Sequence, residues 1–348
     1  MNFGKIAFLA GCVFSALAYL QKLEVTPYGF LKGDFYFAAN GVVSWGTPAL
    51  TSVSRASGVD STAVSFTAQH TRLGLKIQKE EITVPFGGVA EIDFWVIAAN
   101  FNAVPRMRLA YVWMKPLQNL KVDIGQRWDF FSPLNPTTNN TNANLWMNGN
   151  YGFRRPQFAL TWLTELGRTR PVFQVSVGEA SKEDQTRLGL EFNEDMETGV
   201  AALMAAYDED REFWIWGISV DANLPVHRLP SFLAEFALGA NLDNADLFTI
   251  GGDGTPGNDV RTWGFWINYI SKPFIYLHGV AGFARESVYS GVAPGSPEDN
   301  TTFYLTARVP VNEHISLAAE YQFFYTNEQG LPDNHTASLI DVAGKLVF

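Results

Sequence analysis

Arg72-Leu73-Gly74-Leu75-Lys76-Ile77-Gln78 alternates without a slip, with apolar side chains at 73, 75 and 77 and polar or small ones at 72, 74, 76 and 78. Period two is the mark of a β-strand, whose successive side chains point to opposite faces. One face of this strand suits hydrocarbon. The other carries Arg and Lys and suits water. Arg187-Leu188-Gly189-Leu190-Glu191-Phe192-Asn193 repeats the pattern, and Ile315-Ser316-Leu317-Ala318-Ala319-Glu320-Tyr321-Gln322-Phe323 extends it. Long runs with apolar residues at i, i+3, i+4 and i+7 are nearly absent.

Applied along the chain, the alternation predicts an all-β protein of about sixteen strands. They fall over 24–38, 61–79, 87–99, 105–115, 120–129, 153–164, 170–179, 185–193, 198–207, 212–223, 230–242, 259–270, 273–285, 301–309, 314–325 and 337–348. The connections after even-numbered strands are mostly short, as at Ser271-Lys272. Several after odd-numbered strands are long: 39–60, 130–152, 243–258, 286–300 and 326–336. Short turns at one end and long loops at the other predict a transmembrane antiparallel β-barrel. A closed barrel also leaves no backbone edge unpaired in lipid. Tyr28, Trp95, Trp128, Trp214, Trp263 and Tyr325 lie near strand ends and are expected at the membrane interfaces.

Composition agrees with this class. Charged residues are 17% of the 348, below the roughly 25% of soluble domains. The formal net charge of -10 argues against a nucleic-acid partner, which calls for a basic surface. Residues 1–18 read as a secretory signal peptide, with Lys5 at its head, an apolar stretch and an Ala16-Leu17-Ala18 cleavage site, leaving 19–348 as the barrel. Cys12, the single cysteine, falls in that leader, so a mature chain starting at Tyr19 has no thiolate for a metal site or disulfide.

Parity decides which face looks inward, because Arg or Lys at mid-bilayer costs about 2–4 kcal/mol. It places Lys32, Arg72, Lys76, Arg106, Arg108, Arg127 and Arg155 in the lumen as basic residues. Asp34, Asp93, Asp123 and Asp129 join them as acidic ones. Two roles suit these cations. They can pair with the neighbouring acids as wall ion pairs, or they can form a track that attracts anions. Much of the net negative charge is expected on external loops, at Glu286 and Glu298 for example. The segment 130–152, after the fifth strand, contains no Asp, Glu, Lys or Arg. It is expected to fold inward and narrow the pore, with Phe131 and Trp146 as anchors and Asn135, Asn139 and Asn140 offering neutral hydrogen bonds.

Four stretches resemble the DcaP-like trimeric porins of Gram-negative bacteria. Gln69-His70-Thr71-Arg72-Leu73-Gly74-Leu75-Lys76 is similar to that family's Q-S-R-L-G-x-K stretch. Pro105-Arg106-Met107-Arg108-Leu109-Ala110-Tyr111 resembles its P-R-L-R-x-A-Y strand. Gly125-Gln126-Arg127-Trp128-Asp129 resembles its G-Q-T-W-S/D segment, with Arg127 where the family often has Thr. Arg154-Arg155-Pro156-Gln157 resembles its R-R-x-Q strand start. The similarity covers about the first half of the chain. It implies a sixteen-stranded homotrimeric porin in the bacterial outer membrane, in contact with outer-membrane lipid and passing small anionic solutes, dicarboxylates among them.

No sequence motif argues for chemistry. The five histidines form no H-E-x-x-H or H-x-x-x-H pair. Gly252-Asp253-Gly254-Thr255-Pro256-Gly257 fits G-x-G-x-x-G, but an alternating strand follows it where a phosphate site needs a helix, so a loop tip is expected. The expected function is therefore a passive diffusion channel for small hydrophilic solutes, with an anion preference and with no catalytic residue, metal or cofactor. The alternatives are an outer-membrane barrel enzyme of the lipase or protease kind, and a plugged structural barrel or adhesin.

Overall fold

A computed structural model describes residues 23–40, 62–95, 104–141, 144–166, 169–178, 183–192, 196–205, 214–224, 230–255, 257–274, 276–330 and 334–348. The leader assigned to 1–18 and the tip of the first long loop lie outside the described residues. Among the described residues there are seventeen strands: β1 Glu24–Ala39, β2 Ala63–Thr67, β3 Arg72–Lys79, β4 Phe86–Asp93, β5 Arg106–Leu117, β6 Leu120–Trp128, β7 Arg154–Leu163, β8 Thr169–Gly178, β9 Glu183–Phe192, β10 Met196–Ala205, β11 Ile215–Leu224, β12 Ser231–Ala240, β13 Arg261–Ile270, β14 His278–Ser290, β15 Pro297–Pro310, β16 Ile315–Glu328 and β17 His335–Val347. Each pairs antiparallel with its neighbours in one sheet. β1 pairs with β17 over Phe30↔Val347 to Ala39↔Ser338, which closes the ring. The last residue takes part in the closure, since the Phe348 and Gly29 backbones exchange both hydrogen bonds at 3.2 Å. β2 and β3 are the two halves of a single crossing of the wall, because both pair with β1. Seventeen strands therefore make sixteen staves.

The expected strand 61–79 is broken at 68–71. A tight turn, with Thr71 N donating to Ala68 O at 3.0 Å, separates its halves. The break turns His70 into the wall, where Nδ1 lies 3.0 Å from Asp34 Oδ2 and 3.2 Å from the Tyr36 hydroxyl. The turn also changes the parity, since the outward apolar residues pass from even positions, Val64 and Phe66, to odd ones, Leu75 and Ile77, a slip that a single strand over 61–79 does not allow. Two later boundaries also shift. The strand expected over 273–285 runs over His278–Ser290, and its partner begins at Pro297. The long loop expected over 286–300 is thus only six residues, 291–296, because these strands continue their ladder up to Ser287↔Asp299.

The alternation resolves into an apolar exterior and a polar interior. Leu31, Phe66, Leu75, Ile77, Val112, Ile124, Phe158, Phe236, Leu305, Phe323 and Val342 are exposed outward. Inward positions carry most of the buried charge. Two apolar clusters sit inside the barrel against β11–β15. Phe131, Tyr151, Ile215, Ala237, Leu242, Ala245 and Leu247 form one cluster, and Leu145, Trp266, Val280, Ala284 and Tyr304 form another. Both unite wall residues of β11–β15 with the long loop between β6 and β7, and the first also takes in the loop between β12 and β13.

Candidate functional site: the inward loop and the basic wall

The segment between β6 and β7 enters the lumen and follows the inner wall away from its own stem. Ser132 N donates to Ser219 Oγ of β11 at 3.2 Å. Thr137 N donates to Asn268 Oδ1 of β13 at 2.5 Å. Asn139 is held twice, its N donating to Glu320 Oε2 and its Nδ2 to Asp341 Oδ2, both at 2.6 Å. Arg308 of β15 donates to Thr138 O, and Arg72 of β3 to Thr141 O, both at 2.8 Å. A loop without charge can lie against a wall of charges because its peptide groups and asparagines answer each of them. On the return leg Leu145 and Trp146 are buried. Gly149 then passes so close to β13 that a Cβ would stand 2.6 Å from Phe265 N. Its φ of +90° is one that side chains rarely adopt.

The expected loop residues divide accordingly. Phe131 is fully buried in the first apolar cluster. Trp146 stacks on Phe248 at 4.6 Å and meets Trp95 edge-on at 6.0 Å. Asn139 and Asn140 are buried, and Asn135 is half-buried. Trp95, expected at a membrane interface, is instead an interior residue, because it closes the back of this aromatic group. Tyr28 also turns inward, its hydroxyl donating to Glu91 Oε2 at 3.1 Å.

A second inward segment, between β12 and β13, escaped the sequence reading. Its Leu242, Ala245 and Leu247 join Phe131 and Tyr151. Phe248 covers Trp146, and Phe248 O accepts from Met147 N at 3.0 Å. Arg155 donates to Ala245 O at 3.0 Å. The two loops share one anchor: Glu286 Oε2 accepts from Gly149 N at 3.0 Å, and Oε1 from Ile250 N at 2.9 Å. Glu286 therefore does not belong to an external loop. It is a fully buried wall residue of β14. The available signal was Leu242, Leu247, Phe248 and Ile250, four large apolar residues at the start of and within a connection, 243–258, expected only as a long loop.

Opposite the loops, β3 to β6 form a basic wall. Their inward Lys76, Tyr111, Trp113, Lys121 and Arg127 remain partly or fully exposed, while the inward residues of β12 to β17 are mostly buried. Glu91, Asp93 and Asp123 of this wall each lie behind at least one more exposed cation. Asp93 binds Arg106 Nε and Nη2 at 2.9 and 2.7 Å and Arg108 Nη1 at 3.0 Å. Its side chain is 0% exposed, against 29% for Arg106. Glu91 takes Arg108 Nε at 2.7 Å and lies 3.6 Å from Arg72, with exposures of 7% for the acid and 19% for Arg72. Asp123 is 0% exposed between Lys121 at 30% and Arg127 at 16%. Asp129 and Arg155 form a buried pair at 2.8 Å, at the root of the loop. Aromatic faces back several cations: Trp95 lies 4.4 Å from Arg106, Phe130 4.5 Å from Arg127, and Tyr28 5.1 Å from Lys76. Lys32 and Asp34 pair directly and are buried beside His70, away from the exposed wall.

The parity expected in β5 holds only to Arg108. A bulge between Glu91↔Leu109 and Ile92↔Met107 inserts one extra residue. Arg106 and Arg108 point inward before it, and Tyr111 and Trp113 after it.

No protein-family model and no curated protein sequence matches the chain. Solved structures do match it in fold. The outer membrane channel DcaP of Acinetobacter baumannii superposes with a TM-score of 0.73 at 16% identity, over 94% of this chain and 98% of that one. The anion-selective porin from Comamonas acidovorans gives 0.62 at 10% identity, over 94% and 100%. The trimer form of OmpT, an outer membrane protein of Vibrio cholerae, gives 0.59 at 10%, over 94% and 99%. The likeness to DcaP extends well past the first half, where the sequence motifs lie. The chain has the sixteen-stave barrel fold of the outer-membrane porins.

Proposed function

We propose that the protein is a porin of the bacterial outer membrane, a passive diffusion channel for small hydrophilic solutes with a preference for anions. The observation that carries the preference is the layering of the basic wall. Arg72, Arg106, Lys121 and Arg127 are the accessible members of their ion pairs, and Glu91, Asp93 and Asp123 stand behind them. A solute in the lumen meets guanidinium and ammonium groups first, so the wall acts as a cationic track although it is built of pairs. The expected roles as wall ion pairs and as anion track are thus one arrangement.

The inward loop limits the open cross-section and adds neutral hydrogen-bonding groups. Transport in this reading needs no catalytic residue, metal or cofactor. The anion selectivity named for the Comamonas porin and the trimer named for the Vibrio protein support the same reading, with a homotrimer as the working assembly. Small dicarboxylates fit a wall that spaces several cations along one side. Liposome swelling tests this directly: succinate is expected to enter faster than an uncharged sugar of similar size. Equal or slower entry would remove the anion preference. No entry of either solute, with the protein folded, would instead establish a plugged barrel.

A further inference from the structure

A glutamine on the outside of the wall stands next to the bulge that aims the arginines. Gln126 of β6 is directly opposite Ala110 on one side and Pro156 on the other. It shares their outward face with Ile124 and Phe158, both exposed apolar residues. An amide on the lipid-facing side of a barrel is costly unless its hydrogen bonds are made. The β5–β6 ladder ends at the Ala110↔Gln126 pair, while β6 continues to Trp128 against β7. Beyond that point the carbonyls of Met107 and Arg108, the two residues at the bulge, lie past the end of the ladder and take a side-chain donor. Gln126 Nε2 supplies it, donating to Met107 O at 3.0 Å and to Arg108 O at 3.1 Å. Gly125, one residue earlier, lets the two strands close up, since a Cβ there would stand 2.3 Å from Ala110 O.

Resting on the porin reading above, we propose that Gln126 is a positioning residue for the selectivity of the pore. It fixes the bulge from outside, and the bulge delivers Arg108 to Glu91 and Asp93. Arg108 is itself buried, so it meets no solute. Its part is to neutralise the two acids from behind, leaving Arg72 and Arg106 to set the field in the lumen. Without the Gln126 amide the Arg108 backbone loses this tether, the guanidinium shifts from the two carboxylates, and the lumen becomes more negative.

The test is the anion-to-cation permeability ratio from reversal potentials of wild type, Gln126→Leu, Arg108→Met and the double variant, with folding checked by heat modifiability on gels. Gln126→Leu is expected to lower the ratio at least twofold, although residue 126 is outside the pore. Arg108→Met is expected to lower it as far or further, and adding Gln126→Leu to Arg108→Met to change nothing more. That last result separates positioning through Arg108 from a general loosening of the barrel. An unchanged ratio in Gln126→Leu, or an equal further drop in the double variant, would overturn the inference. The shift toward cations is expected whichever ion the wild type prefers, so a wild type that is not anion-selective counts against the porin preference alone. Should Gln126→Leu not fold, Gln126→Met, which keeps the length, adds no charge and removes the donors, serves in its place.

Discussion

Asp93 reaches no solvent because three guanidinium nitrogens of two arginines close over it. Buried charge of this kind is tolerable only when paired, and it becomes costly when one partner is removed. Two predictions belong at this scale. Replacing Arg106 and Arg108 together with Gln exposes Asp93 and Glu91 to the lumen and shifts permeability toward cations. One unit charge at roughly 7 Å, in a medium between water and protein surface, is worth about 0.6–2.4 kcal/mol, a change of threefold or more in the ratio. Reversal potentials in a salt gradient read it, and an unchanged ratio would remove the track. Asp34 holds Lys32 and His70 in the buried wall. Asp34→Ala leaves the lysine without its carboxylate and should cost about 3–5 kcal/mol. The expected sign is an earlier loss of the folded band on heating, with Asp34→Asn in between.

At the scale of elements, the two inward loops stand or fall together. Glu286 accepts one backbone N–H from each. Glu286→Ala leaves two buried donors unpaired, at about 1–3 kcal/mol each. It should release both loops, seen as higher single-channel conductance with more frequent fluctuations. Release of neither loop would show that apolar packing alone holds them. The second loop adds a pH dependence. Burial raises the Asp243 carboxyl from its ordinary 3.8 to about 6, with the N–H of Thr249 opposing the shift and Asp253 and Asp246 adding to it. A carboxyl raised on folding favours the packed loop when protonated. Its contribution is therefore complete below about pH 4 and is lost as pH rises through about 6. Channel closures by this loop should be rarer at acid than at neutral pH, and Asp243→Asn should abolish the difference.

For the whole molecule, the alternation read at 72–78 carried most of the architecture. Strand number, alternating turn and loop lengths and the inward placement of Lys32, Arg72, Arg106, Arg108, Arg127 and Arg155 all follow from period two and the cost of charge in lipid. Three things were not legible, each for a physical reason. The turn at His70 shows in the sequence only as a one-residue slip of parity, from Val64 and Phe66 to Leu75 and Ile77, and its closure depends on Asp34 and Tyr36 of another strand. The bulge at Arg108 is a register shift between β4 and β5 that Gln126 meets from another strand, and neither is marked in the alternation of β5. The inward course of 241–254 depends on a partner surface, Phe131 and Tyr151, that exists only once the first loop has folded in. The layering of acids behind cations is likewise a property of the assembled wall. The anion preference rests on it, and the direct measurement is the reversal potential of the folded protein in a planar bilayer under a KCl gradient. An anion-selective current is expected, with a selectivity that weakens as salt rises and the Debye length falls below about 10 Å. A cation-selective current would contradict it, by showing that the acids and not the arginines face the solute.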